Sequence, residues 1–130
     1  HAGFSDVAPW LPVAPEHKNC AVDVQDVDSH SILNSYRHFL AWRKQQPLLV
    51  QGDISFVDAD TNVLAFIRTL DSQRMLVLFN FSGEQCRFDL GKLTLDEAVQ
   101  GHGLESGYIA SDDTSAVILP GFASFYGKLN

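Results

Sequence analysis

Two hydrophobic periods divide this chain. Between Ser29 and Gln46 apolar residues fall at Ile32, Leu33, Tyr36, Phe39 and Leu40, and the stem of Arg43 continues the stripe. That spacing predicts an amphipathic helix over about Ser29 to Gln46. Ser29, after Asp28, suits its N-cap. Arg37, Arg43 and Lys44 come late in it, where cations suit the helix dipole. Pro47 is expected to stop it.

After Gly52 the period becomes two. Ile54–Val57 reads as a short strand, and the Asp58-to-Asn62 run reads as a turn. Val63–Leu70 and Met75–Phe81 read as two strands of a hairpin, joined by a tight turn at Asp71-Ser72-Gln73. Met75 to Phe79 is apolar at every position, so both faces of that strand should be covered. Cys86–Leu90 reads as a further strand. Residues 91–114 carry Gly101, Gly103 and Gly107 and read mostly as loop with short strand pieces. Ala116–Leu119 and Phe122–Leu129, split by Pro120-Gly121, read as a closing hairpin. Residues 1–28 read as an ordered, irregular loop, because Pro9, Pro12 and Pro15 forbid a continuous helix or a central strand. The expected fold is mainly β, an antiparallel β-sandwich preceded by a loop and one long helix.

Bulk properties narrow the function more than the fold. The 130 residues are 45% hydrophobic and 19% charged, an ordinary globular balance. They suffice for one domain, or for one small domain plus a piece of another. The net charge of −7 argues against nucleic acid and anionic membrane as partners, since both need a basic patch to neutralise phosphate. No apolar run approaches the length of a membrane span. The first residue is His1 and no secretion signal follows, so the chain is expected to start within a protein or after processing. Cys20 and Cys86 lack CxxC spacing and read as separate reduced thiols, which points to the cytoplasm.

Most chemical motifs dissolve on inspection. Asp58, Asp60 and Asn62 open like a calcium loop, but its sixth and twelfth positions are Val63 and Thr69 instead of Gly and Glu, so a turn is expected. Gly101-His102-Gly103 lacks the third glycine of a dinucleotide fingerprint. His17, His30 and His38 lack zinc spacing, and no metal or cofactor is expected. Asn80-Phe81-Ser82 matches a glycosylation sequon, yet lies in or beside a strand. Glu16, Asp23, Asp26 and Asp28 cluster, and paired carboxylates can serve glycoside hydrolysis. Here they read as solvated loop residues and a helix cap. Phe4 and Trp10 lie in the proline-rich loop. An aromatic ring face matches the apolar face of a pyranose, so they are candidates for a sugar contact; loop anchoring is the alternative.

The order His1-Ala2-Gly3-Phe4-Ser5, Pro9-Trp10-Leu11-Pro12-Val13, Gln25, Asp28-Ser29 and Tyr36-Arg37 resembles the segment closing the catalytic barrel of alpha-glucosidases in the alpha-amylase superfamily, glycoside hydrolase family thirteen. Trp42-Arg43 and Pro47 are similar to the end of its last barrel helix. Phe66–Arg68 and Leu76–Ser82 are similar to the central strands of its C-terminal β-sandwich. The wording of Pro9–Val13 and of Ala41-Trp42-Arg43-Lys44 resembles bacterial alpha-glucosidase. The resemblance implies that residues 1–50 are the final loop and last helix of a (β/α)8 barrel, and 51–130 the C-terminal sandwich. It implies a parent enzyme acting by retaining hydrolysis with an Asp nucleophile, a Glu acid/base and a second Asp. The motifs carrying those three groups lie upstream of His1, so no catalytic residue is carried over and the chain alone is expected to be inactive. Its implied partners are the rest of the barrel and, in the intact enzyme, an alpha-glucoside or oligosaccharide. Phe4 and Trp10 would border the pocket entrance, because loops following barrel strands emerge on the catalytic face. The helix stripe, left without barrel neighbours, would favour self-association or packing of this helix on the sandwich. Two rival readings are a free-standing carbohydrate-binding module and a structural interaction domain. The first calls for a planar row of exposed aromatics, whereas Phe66, Phe79 and Phe81 sit in apolar runs.

Overall fold

The computed structural model describes residues 5–91, 93–99 and 106–130. The chain divides into two units, His1–His38 and Phe39–Asn130, with the division falling inside a helix.

In the first unit the proline-rich segment is less irregular than its prolines suggest. Pro15–Lys18 forms a 3-10 turn that starts on Pro15, and Val22–Val27 forms a short helix, α1. Proline forbids a helix interior but suits a first turn, where its missing N–H has no partner to lose. The long helix α2 spans Ile32–Lys44, shorter at both ends than its apolar stripe predicted. Its cap is Ser31 and not Ser29: the Ser31 hydroxyl accepts the Asn34 amide at 3.2 Å. Ser29 is spent in a turn in which the Asp28 carboxylate accepts the His30 amide at 2.9 Å.

In the second unit α2 closes with tight i→i+3 bonds from Gln45 and Gln46. Pro47 does more than stop it, because it opens a further helix, α3, over Pro47–Gln51. The Arg43 guanidinium donates to the Leu49 carbonyl at 3.1 Å and so ties the two helices together. Gly52 ends α3 where the chain nearly touches itself: a Cβ there would stand 2.6 Å from the Leu48 carbonyl oxygen and 2.8 Å from that of Thr69.

Among the described residues eight strands follow: β1 Asp53–Val57, β2 Val63–Leu70, β3 Gln73–Asn80, β4 Cys86–Asp89, β5 Leu95–Val99, β6 Tyr108–Ile109, β7 Ala116–Leu119 and β8 Ser124–Leu129. They form a five-stranded antiparallel sheet in the order β1-β2-β3-β8-β5 and a three-stranded sheet in the order β4-β7-β6. The expected β2–β3 hairpin forms, with Leu70 opposite Gln73. Its loop is the two residues Asp71-Ser72, and Asp71 takes a left-handed φ of 53° that a short polar side chain tolerates. The expected closing hairpin does not form. β7 pairs with β4 and β6, whereas β8 pairs with β3 and β5. Pro120–Ala123 therefore carries the chain from one sheet to the other.

The core lies between the sheets. Val63, Ala65, Ile67, Leu76, Leu78, Phe125 and Leu129 from the larger sheet meet Phe88, Val117 and Leu119 from the smaller. Each large apolar side chain buried there contributes about 1.5–3 kcal/mol. A second apolar cluster covers the outer face of the larger sheet: Trp42, Leu48 and Leu49 of the helices pack on Met75, Val77 and Tyr126. That is why β3 is apolar at successive positions, since one face meets the smaller sheet and the other meets the helices.

Asn80 holds the corner where the chain changes sheets. It is 3% exposed. Its Nδ2 donates to the carbonyls of Glu84 at 2.7 Å, Leu119 at 3.2 Å and Pro120 at 3.0 Å. Its Oδ1 accepts the Ser82 amide at 2.9 Å and the Ser82 hydroxyl at 2.8 Å. The sequon is thus a structural bracket, with its amide nitrogen already engaged and out of reach of a glycan.

Candidate functional site

The candidate sugar contact begins with the chain before α1. Pro9, Trp10, Leu11, Pro12 and Val13 run along one side of a concavity of about 500 Å³, closed on the other side by His17, Cys20, Ala21 and Val22. The prolines hold this stretch extended, and Trp10 projects from it 90% exposed. Trp10 is therefore no anchor buried within the first unit. Its ring face is free to meet an apolar surface. Phe4, its companion candidate, lies outside the described residues.

Position is given to this groove by Gln25, which the sequence offered only as part of a resemblance, and by Asn34, which the sequence reading did not single out. The Gln25 side chain donates to the Cys20 carbonyl at 2.7 Å and accepts the Leu33 amide at 3.1 Å. Its backbone carbonyl accepts the Ser31 hydroxyl at 2.6 Å and the Asn34 amide nitrogen at 3.0 Å. Asn34 also donates to the carbonyls of Asp26 and Asp28. Arg37 donates to the Asn34 side chain and pairs with Asp26. Gln25 and Asn34 thereby tie α1, the groove's wall and the start of α2 into one hydrogen-bonded body. The sequence signal was the spacing of two amides on either side of a capped turn, which periodicity alone does not register. The Asp26–Arg37 pair is half-exposed on both sides and is worth about 0–1 kcal/mol.

The acidic cluster has local structural duties. Asp23 accepts the Val24 amide, Asp26 holds Arg37, and Asp28 caps the turn at His30. None of Glu16, Asp23, Asp26 and Asp28 lines the groove. Among the described residues no three His, Cys, Asp or Glu side chains gather as a metal site. Asp58 to Asn62 is a turn between β1 and β2, closed by the Val63 amide on the Asp60 carbonyl at 2.8 Å. Gly101-His102-Gly103 lies outside the described residues. Cys20 is an exposed free thiol and Cys86 a half-buried one. No helix among the described residues is long and apolar enough to cross a membrane.

The second unit carries an aromatic series that the sequence did not reveal. Phe56, Phe66, Phe79 and Phe81 stand in succession, with neighbouring ring centroids 6.2–6.4 Å apart. Both ends are open, with Phe56 71% and Phe81 67% exposed. Phe81, which the sequence places in an apolar run with Phe66 and Phe79, is therefore not absorbed by it. The rings nevertheless tilt by 34° to 72° between neighbours, so they do not form the planar platform on which sugars stack in line.

Comparison with known proteins assigns the chain. Residues 54–123 match the family described as Maltogenic Amylase, C-terminal domain, and residues 1–52 match Alpha amylase, catalytic domain. A probable alpha-glucosidase of Rhizobium meliloti is 38% identical over 98% of this chain, and the matched part is 22% of that protein. An oligo-1,6-glucosidase of Bacillus cereus is 31% identical over 69% of the chain, which is 16% of its own length. Among solved structures, the alpha-glucosyl transfer enzyme XgtA superposes with a TM-score of 0.85 at 37% identity, covering 94% of this chain and 22% of that one. Isomaltulose synthase from Klebsiella superposes with a TM-score of 0.81 at 26% identity, covering 99% and 23%. The chain spans about a fifth of the length of these relatives. With its β-rich and helical parts matched in turn by these two families, the chain belongs to the alpha-amylase superfamily.

Proposed function

We propose that this chain is the C-terminal portion of an alpha-glucosidase that hydrolyses terminal alpha-glucosidic bonds with retention, and that the portion itself stabilises the enzyme without catalysing. One observation carries the reading. The helical part that matches the catalytic domain packs Trp42, Leu48 and Leu49 onto Met75, Val77 and Tyr126 of the part that matches the C-terminal domain. Residues 1–50 then form the last loop and helix of a (β/α)8 barrel, and 51–130 the C-terminal sandwich. The two carboxylates of the retaining reaction belong to the remainder of the barrel. One attacks the anomeric carbon to form a glycosyl-enzyme while the other protonates the leaving oxygen, and water then releases the sugar. Free Cys20 and Cys86 support a cytoplasmic setting.

Phe4 and Trp10 border the pocket entrance in this reading and shape it without donating a catalytic group. The exposure of Trp10 and the apolar groove beside it support that role. The test begins with the reading frame upstream of His1 and a chromogenic alpha-glucoside. The 130-residue chain should be inert and the longer product active. Turnover by the chain alone, lost on mutating Glu16 or Asp28, would overturn the reading. Relatives named for hydrolysis and for glucosyl transfer share this portion, so the assay includes a sugar acceptor. Trp10→Ala in the longer protein should shift KM or substrate preference with little change in melting temperature. A lowered melting temperature with unchanged preference would make Trp10 a loop anchor instead.

A further inference from the structure

One edge of the five-stranded sheet is bare. It is β1, in which Asp53, Ile54, Ser55 and Phe56 are all exposed. The other edge, β5, is guarded by a bulge between Leu95 and Glu97 and by the charges of Asp96 and Glu97. β1 has no such guard. Its register with β2 is unbroken from Asp53 to Val57, it holds no Lys or Pro, and its only charge, Asp53, stands at its start.

The register also fixes which backbone groups face outward. The Phe81 amide donates to the Asn62 carbonyl at 2.8 Å, beside the first residue of β2, whereas the Val63 amide turns back to Asp60. Hydrogen bonds of successive residues in an antiparallel strand alternate between its two flanks. Leu64, Phe66, Arg68 and Leu70 therefore bond toward β3, and Ala65, Ile67 and Thr69 toward β1. Opposite those three stand Val57, Ser55 and Asp53. Ile54 and Phe56 are left with N–H and C=O pointing away from the sheet, and among the described residues neither has a backbone partner outside the ladder. Their side chains lie on the outer face, 48% and 71% exposed. They end the row that register carries across that face through Phe56, Phe66, Val77 and Tyr126.

We propose that β1 pairs with β1 of a second copy of this chain, antiparallel about a two-fold axis at Ser55. In that register the strand is complementary to itself. Ile54 stands opposite Phe56 of the second copy, and each such pair exchanges an N–H and a C=O in both directions, so every outward group of the two residues is satisfied. A branched side chain against an aromatic ring is also a favourable cross-strand pair. Ser55 meets itself as a non-hydrogen-bonded pair, where strands approach closely and a small side chain fits. Asp53 faces Val57, so no like charges are opposed. Other centres do worse: one at Ile54 sets Phe56 against Gly52, and one at Phe56 sets Ile54 against Asp58. The same patch serves both copies, so association closes at the dimer.

Sedimentation velocity and amide hydrogen exchange of the 130-residue chain test this together. Ile32→Ser is the background throughout, so that association through the exposed Ile32 of α2 does not count. Sedimentation should show a dimer that forms with rising concentration and grows no further. The Ile54 and Phe56 amides should exchange fast when dilute and slow in the dimer. The Ser55 amide, which faces β2, should be slow in both states. Ile54→Pro deletes only an outward N–H, a place where an edge strand tolerates proline. It should weaken the dimer by about ten-fold or more, because it also leaves the opposing carbonyl unpaired. Ile54→Ala keeps the N–H and should weaken it distinctly less. A chain that stays monomeric overturns the proposal, as does growth beyond the dimer. A dimer in which the Ile54 and Phe56 amides stay fast, or one that Ala and Pro weaken equally, overturns it too. If Ile54→Pro fails to fold, the exchange pattern of the chain with Ile54 intact decides.

Discussion

Replacing Leu78 by Ala should unfold the sandwich more readily than any surface change. Leu78 lies on β3, the middle strand of the larger sheet, between Ala65 of β2 and Phe125 of β8, and its exposure is 0%. The substitution removes three carbon centres from the core. At about 0.8 kcal/mol for each, the lost transfer free energy is about 2.4 kcal/mol. A cavity penalty adds to this, because antiparallel strands on both sides prevent the backbone from closing the gap, and the total becomes about 2–5 kcal/mol. For a unit of this size each kcal/mol moves the melting midpoint by about 4–8 °C, so the midpoint should fall by about 10 °C or more. Urea unfolding followed by tryptophan fluorescence measures it cleanly. Trp42 is buried against Tyr126 and reports on the second unit, while Trp10 is already exposed and changes little. The midpoint should drop with the slope unchanged, as befits a loss of stability without a change in the surface uncovered. A cost below about 0.5 kcal/mol, the usual range for surface sites, would refute the assignment of Leu78 to the core.

Asn80→Ala should cost about 2 kcal/mol or more, since it strips hydrogen bonds from the Leu119 and Pro120 carbonyls at a buried corner, and the same urea titration checks it. Asp113 responds to pH: hydrogen bonds from the Ser115 hydroxyl and amide, then the nearby Arg87, hold its carboxyl below the usual 3.8. A depressed folded-state value contributes stability above the ordinary pKa and loses it as pH falls through the folded one. Asp113→Asn should therefore flatten the decline in unfolding midpoint below about pH 4, and an unchanged acid limb would contradict the assignment. In the first unit Ile32 and Tyr36 are 71% and 60% exposed on α2. Light scattering should detect self-association that weakens on Ile32→Ser, and a strictly monomeric chain at every concentration would contradict this.

Elements whose signals are local are legible in the chain before it folds. β2 and β3 follow from alternation and branched residues on either side of a two-residue polar turn, and β3's unbroken apolar run announced a strand covered twice. The pattern of Pro9–Val13, Gln25 and Tyr36-Arg37 sufficed to indicate the superfamily. Other features depend on what lies opposite a residue in space. Pro120-Gly121 marks a reversal equally well within one sheet or between two, and only the pairing partners of β7 and β8 decide for a change of sheet. Ser29 and Ser31 are both chemically fit to cap α2; the bond from the His30 amide to Asp28 assigns the task to Ser31. Trp42 is not among the stripe residues counted from Ile32, yet it is the buried residue of α2, because it meets Tyr126 of β8, far along the chain. The aromatic row is invisible until strand register aligns positions 56, 66 and 126, for neighbours across a sheet have no fixed separation along the chain. Local signals specify which elements form, whereas the faces that they bury or leave bare are set by long-range pairing.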